Sequence, residues 1–158
     1  MRRLALALAA VLVAAALVAA SALPAAAETI GAVGYKFKWV GPNDKIVVEA
    51  FDDPEVAGVA CYLSRADIGG ISGAMGLAEN PSDVSLACRQ VGPLDPAAIL
   101  KLKDREEVFS QRISIIFKST QVVRMIDRKR NVLVYLTYSD KIIEGSPKNA
   151  VSVVPFGR

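Results

Sequence analysis

The segment Tyr138–Asn149 (YSDKIIEGSPKN) crowds hydroxyls, two lysines, two carboxylates and an amide into one short stretch. Those are the side chains of acid–base and nucleophilic chemistry. Ser/Lys catalysis would need a lysine deprotonated by burial, and no S-x-x-K spacing occurs anywhere in the chain. Ser139, Asp140, Lys141, Glu144, Lys148 and Asn149 therefore read as a binding surface. A small hydrolase using these carboxylates or a Ser/Lys pair is the alternative.

Three further clusters invite chemistry. Glu49, Asp52, Asp53 and Glu55 form an acidic turn, and paired carboxylates can exchange protons or bind calcium. Their spacing matches no calcium loop, and Asp-Asp-Pro between apolar runs is turn chemistry. Gly69-Gly70-Ile71-Ser72-Gly73-Ala74-Met75-Gly76 suggests a phosphate cradle, but it lacks the Gly-Lys-Ser/Thr ending of a P-loop. Arg124, Arg128, Lys129 and Arg130 suit an anionic headgroup or glycan, yet they also describe a solvated hairpin tip that resists edge pairing.

What is missing narrows the choice. The chain has no histidine and two cysteines. That excludes a Ser-His-Asp triad, a Cys-His dyad and a His-ligated or all-cysteine zinc site within one chain. The sequence gives no catalytic motif, no cofactor fingerprint and no metal site, so the expectation is a protein that is not an enzyme.

The elements that must carry these residues begin after a leader. Arg2 and Arg3 precede an uninterrupted Ala/Leu/Val run from Leu4 to Ala20; Pro24 breaks it and Ala25-Ala26-Ala27 supplies a small-residue cleavage pattern. The expectation is a signal peptide over residues 1–27, a mature chain beginning at Glu28, and a periplasmic address. A retained membrane anchor is the rival reading. The Arg pair does not complete a twin-arginine motif, which favours the general secretory route without deciding it. Beyond the leader the charge is close to neutral, which argues against a nucleic-acid partner. Residues 28–158 hold no linker or repeat and read as one domain.

That domain reads as mainly β. Val33, Tyr35, Phe37 and Trp39 alternate with lysines, the pattern of a half-buried strand. Gly41-Pro42-Asn43-Asp44 turns the chain into Lys45–Phe51, and Val56–Arg65, Ser85–Val91, Glu107–Ser119, Gln121–Arg128, Val132–Ser139 and Val151–Val154 continue the strand count. Asp95-Pro96 starts a short helix over Pro96–Lys103. The expected fold is an antiparallel sandwich or small barrel with one or two short helices. Cys61 and Cys88 sit on apolar strand faces. In an oxidising compartment such a pair is most simply a structural disulfide, with free thiols or a redox pair as the alternatives.

With these residues in place, the chain resembles the CreA family of bacterial periplasmic proteins. The resemblance runs through Gly41–Pro54 (GPNDKIVVEAFDDP), Cys61–Ala66 (CYLSRA), Gly69-Gly70-Ile71, Gly76–Glu79, Cys88 with Gln90–Pro93, and Phe117-Lys118-Ser119. It ends in Tyr138–Lys141 and Glu144–Ala150. It implies an exported protein whose cysteine pair is a bridge, and it brings no catalytic residue or cofactor. The functional expectation is a non-catalytic periplasmic module that binds a small ligand or an envelope protein.

Overall fold

The computed structural model describes residues 26–70, 84–112, 119–139 and 148–157. Two four-stranded antiparallel sheets form a sandwich. The first holds β1 (Glu28–Lys36), β2 (Asp44–Asp52), β3 (Val59–Asp67) and β4 (Val84–Gln90) in sequential order. The second holds β5 (Arg105–Arg112), β6 (Ser119–Asp127), β7 (Val132–Ser139) and β8 (Asn149–Pro155), again in sequential order.

Period-two burial explains the strands. On β7, Leu133, Tyr135, Thr137 and Ser139 are buried while the residues between them are only partly covered. On β3 the same alternation turns Cys61 and Leu63 inward. Across the sandwich, Phe51 of β2 stacks on Phe109 of β5 with ring centroids 4.2 Å apart. Such a pair contributes about 0.5–1.5 kcal/mol beyond the area it buries.

Cys61 and Cys88 are direct cross-strand partners in the β3–β4 ladder and form a disulfide. The bridge lies within one sheet, at the buried face, and both residues are almost fully excluded from solvent. At the same edge, the Cys88 amide donates to Ser152 Oγ of β8 at 2.8 Å. The two sheets thus meet at a closed β4/β8 corner.

The helix α1 (Pro96–Ile99) starts as the sequence predicts: Asp95 accepts from the Ala97 and Ala98 amides at 2.9 and 3.2 Å. It is shorter than expected. After Leu100 the bonds become i→i−3, from Lys101 to Ala98 and from Leu102 to Ile99. Ile99 is its one buried residue, so no apolar stripe exists to hold further α-helical turns against the core.

The largest departure is β1. Its alternation predicts a half-buried strand, yet all nine of its residues are exposed. Val33 and Trp39 are 71% and 93% exposed. β1 is the outer strand of its sheet and packs on β2, where Val33 lies opposite exposed Ile46. Alternation marks the strand but cannot say whether a second layer reaches it.

Replacing both Cys61 and Cys88 by alanine is expected to lower unfolding free energy by about 3–4 kcal/mol, from the loop the bridge closes. Urea denaturation of oxidised wild type against the double variant checks this.

Candidate functional site

Three polar assemblies and one apolar ribbon stand out from the sandwich. The first occupies the β2–β3 turn. Asp53 accepts from the backbone amides of Glu55 and Val56 at 2.9 and 3.0 Å, so the Asp-Asp-Pro sequence does form a turn. Its carboxylate also faces the core. Arg124 Nη1 reaches Asp53 Oδ1 at 2.7 Å, and the Tyr135 hydroxyl donates to Asp53 Oδ2 at 2.7 Å. Arg124 Nη2 meets Glu55 Oε2 at 2.5 Å. The Arg124 and Asp53 side chains have no solvent exposure.

Burial pulls the Arg124 guanidinium towards neutrality. The hydrogen bond it donates to Glu55 and the Asp53 charge more than offset this, and the cation is held above its ordinary value. Burial first, then the Asp53 charge, push the Tyr135 hydroxyl far above its usual range, so it remains a donor. Arg124 and Tyr135 thus both donate to the Asp53 carboxylate. It is a bolt between the sheets.

The sequence placed Arg124 in a basic hairpin patch, and the structure removes it. Val122 and Arg124 alternate on the inward face of β6. The cue was an arginine inside an apolar run at even spacing. The rest of the patch is tied down locally: Arg128 binds Asp104 and the Leu100 and Leu102 carbonyls, and Arg130 pairs with Asp127.

A second assembly also crosses the sandwich. Arg65 Nε and Nη2 grip the Glu49 carboxylate at 3.0 Å each, and Gln111 Nε2 of β5 reaches Glu49 Oε1 at 3.2 Å. Bidentate geometry of this kind suits a part-buried pair. Gln111 Oε1 and the cross-strand Thr120 Oγ1 are buried with no hydrogen-bond partner.

The third is a clasp. Lys38 Nζ sits 2.6 Å from Asp44 Oδ1 and 2.9 Å from the Gly69 carbonyl oxygen. The Gly69 amide donates to Asp44 Oδ1 at 2.9 Å, and the Gly70 amide to the Pro42 carbonyl at 2.7 Å. A Cβ on Gly69 would lie 1.9 Å from the Pro42 oxygen, so only glycine fits. Gly-Pro-Asn-Asp and Gly-Gly are thereby two halves of one backbone contact. The hydrogen bond from Lys38 outweighs burial and holds the Asp44 carboxyl below its ordinary 3.8.

Of the loop singled out from sequence, Lys148 and Asn149 are exposed at the start of β8. Ser139 is 1% exposed, because it continues the inward alternation of β7. It lies in the core rather than on the expected surface; its amide donates to the Lys148 carbonyl at 3.3 Å. Asp140, Lys141 and Glu144, like most of the glycine-rich loop, lie outside the described residues. Among the described residues, no three His, Cys, Asp or Glu come together as metal ligands. At the opposite end, Gln90, Leu94, Pro96, Pro155 and Phe156 line a groove of about 530 Å³ that holds no ionisable side chain.

The ribbon is β1 with the hairpin that follows it. Ile30, Val33, Tyr35, Phe37, Trp39 and Val40 are each more than half exposed. Phe37 and Trp39 pack edge to face with centroids 5.6 Å apart. Exposed apolar patches are among the features that docking surfaces share.

The CreA protein family model matches residues 30–158. The chain belongs to the CreA family. Protein CreA of Escherichia coli strain K12 is 57% identical over 133 residues, covering 83% of this chain and 85% of that protein. Protein CreA of E. coli O157:H7 matches to the same extent. No solved structure matches the chain. Of the family motifs quoted from sequence, Gly41–Asp44 with Gly69 and Gly70 form the clasp, Asp53 is the bolt and Cys61 and Cys88 are the disulfide; residues 71, 76–79, 117–118, 140–141 and 144–147 lie outside the described residues.

Arg124→Met strands the buried Asp53 carboxylate and is expected to cost about 3–5 kcal/mol. Glu55→Gln, at a half-exposed partner, is expected to cost about 1 kcal/mol or less. Urea midpoints of the two variants check the ranking. The clasp predicts a pH response of known sign. A depressed Asp44 pKa contributes stability above 3.8 that is lost as pH falls through the lower folded value. The Gly69 amide NMR shift should therefore move only in that acid range, and stay flat in Asp44→Asn.

Proposed function

We propose that this protein is exported across the inner membrane and serves in the periplasm as a non-catalytic binding module for an envelope protein. The observation that carries the reading is the aromatic ribbon: β1 and its hairpin present Val33, Tyr35, Phe37 and Trp39 to solvent on an edge strand. The main chain of an edge strand has unpaired N–H and C=O groups along its outer side, the template used in β-strand addition. Side chains left in water beside that template lower the cost of desolvating it.

Two facts support export. The leader pattern of residues 1–27 ends one residue before β1 begins at Glu28. The Cys61–Cys88 bridge belongs to an oxidising compartment. The buried charged groups support a non-catalytic role, because Arg124, Asp53 and Glu49 are engaged with one another or with their neighbours. Phe37 and Trp39, in contrast, are free to be covered.

A photo-crosslinking residue in place of Trp39 is expected to give protein adducts in living cells, and Phe37→Ser/Tyr35→Ser is expected to abolish them. Because those side chains lie outside the core, the double change should shift unfolding free energy by no more than about 0.5 kcal/mol. An absence of adducts overturns the binding role. Intact-mass analysis of the protein recovered from cells should give a chain starting at Glu28 with no free thiol; a chain retaining Met1 overturns cleavage.

A further inference from the structure

We infer that the ribbon's occupant is the same strand of a second copy, paired antiparallel about a two-fold axis through Ala32; this rests on the reading of β1 as a docking edge. Three features of β1 converge on that register. Its ends carry opposite charges, Glu28 at the start and Lys36 at the finish, equally spaced about Ala32. In an antiparallel pair centred there, Glu28 of each copy faces Lys36 of the other, giving two symmetric ion pairs. Among the described residues neither makes an ion pair within its own chain.

Size complementarity follows the same axis. Within the regular run of the strand, Val33 meets Gly31 of the second copy, a large residue against a small one, and the centre holds Ala32 against Ala32. Strand backbones approach closely where such small residues lie, and the larger neighbours extend over them.

The hydrogen bonding is available. Antiparallel ladders use alternate residues, so a strand bonded to β2 on one side offers the intervening N–H and C=O groups on the other. The ladder to β2 shifts register between Thr29 and Gly31 and again between Gly34 and Lys36. The run between those shifts, Gly31–Gly34, is regular and centred close to the proposed axis. An isologous contact of this type closes on itself and yields a dimer.

Sedimentation equilibrium of the disulfide-bonded protein, purified after expression of the complete chain, tests this. Wild type is expected to be a dimer. Lys36→Glu places acids opposite acids and should weaken association on the order of tenfold, and Glu28→Lys/Lys36→Glu should restore it. The Ala32→Cys variant should give a disulfide-linked dimer on non-reducing gels, faster than Val151→Cys on the exposed side of β8. A wild type that stays monomeric at about 1 mM, with no preferential crosslink from Ala32→Cys, overturns the inference. If Trp39 adducts then contain a different protein, the binding-module reading survives alone; if there are no adducts, both fall.

Discussion

A guanidinium with no exposure to water is tolerated only where its charge is met, and Arg124, whose two Nη atoms are paired while its Nε is not, therefore determines how the two sheets face each other. Its partners come from the far layer: Asp53 from the end of β2 and Glu55 from the turn beyond it, with Tyr135 alongside on Asp53. A one-residue slip of β6 would turn Arg124 outward and Met125 inward, leaving Asp53 buried without a cation. Apolar contacts such as Phe51 on Phe109 supply most of the driving force, but they tolerate sliding. The ion pair does not. The Glu49–Arg65–Gln111 contact repeats the device nearer the other end of the sheets, so the layers are pinned at two depths.

How far this was legible in the sequence depends on what each pattern reports. Period two identifies strands because the pleat itself has that period, and β2, β3, β6 and β7 lie where their alternation places them. The disulfide was legible for a similar reason: both cysteines share inward positions with Leu63 and Leu86. Coverage was not legible. Val33, Tyr35, Phe37 and Trp39 alternate as cleanly as any core strand, yet Val33 lies opposite exposed Ile46, on the face turned away from the core. Arg124 was misplaced because charge was counted along the chain, whereas β6 sorts residues by face. Ser139 was misplaced for the same reason, a polar residue at the inward end of an otherwise apolar alternation.

The clasp shows a further limit. Gly41-Pro42-Asn43-Asp44 reads as a turn and Gly69-Gly70 as a loop, and both readings are locally sound. Their meaning is joint. Gly69 is required by the Pro42 carbonyl, and Asp44 is buried by the Gly69 amide and Lys38. The entry to the β3–β4 connection is thus held by the hairpin that carries the exposed aromatic residues. No pattern within either segment announces a contact between residues so far apart in the chain.

The edges of the sandwich are treated unequally, and this inequality is the strongest physical argument about what β1 is for. At the β4/β8 corner, the Cys88 amide is satisfied by Ser152 Oγ. The outer strand of the second sheet, β5, carries Arg105, Glu106, Glu107 and Arg112, the charged form that discourages edge pairing. β1 has the opposite composition: glycines, alanine and exposed apolar side chains, with charge confined to its two ends. That contrast in composition, and not any difference in regularity, is what supports the proposal of β1 as the docking edge.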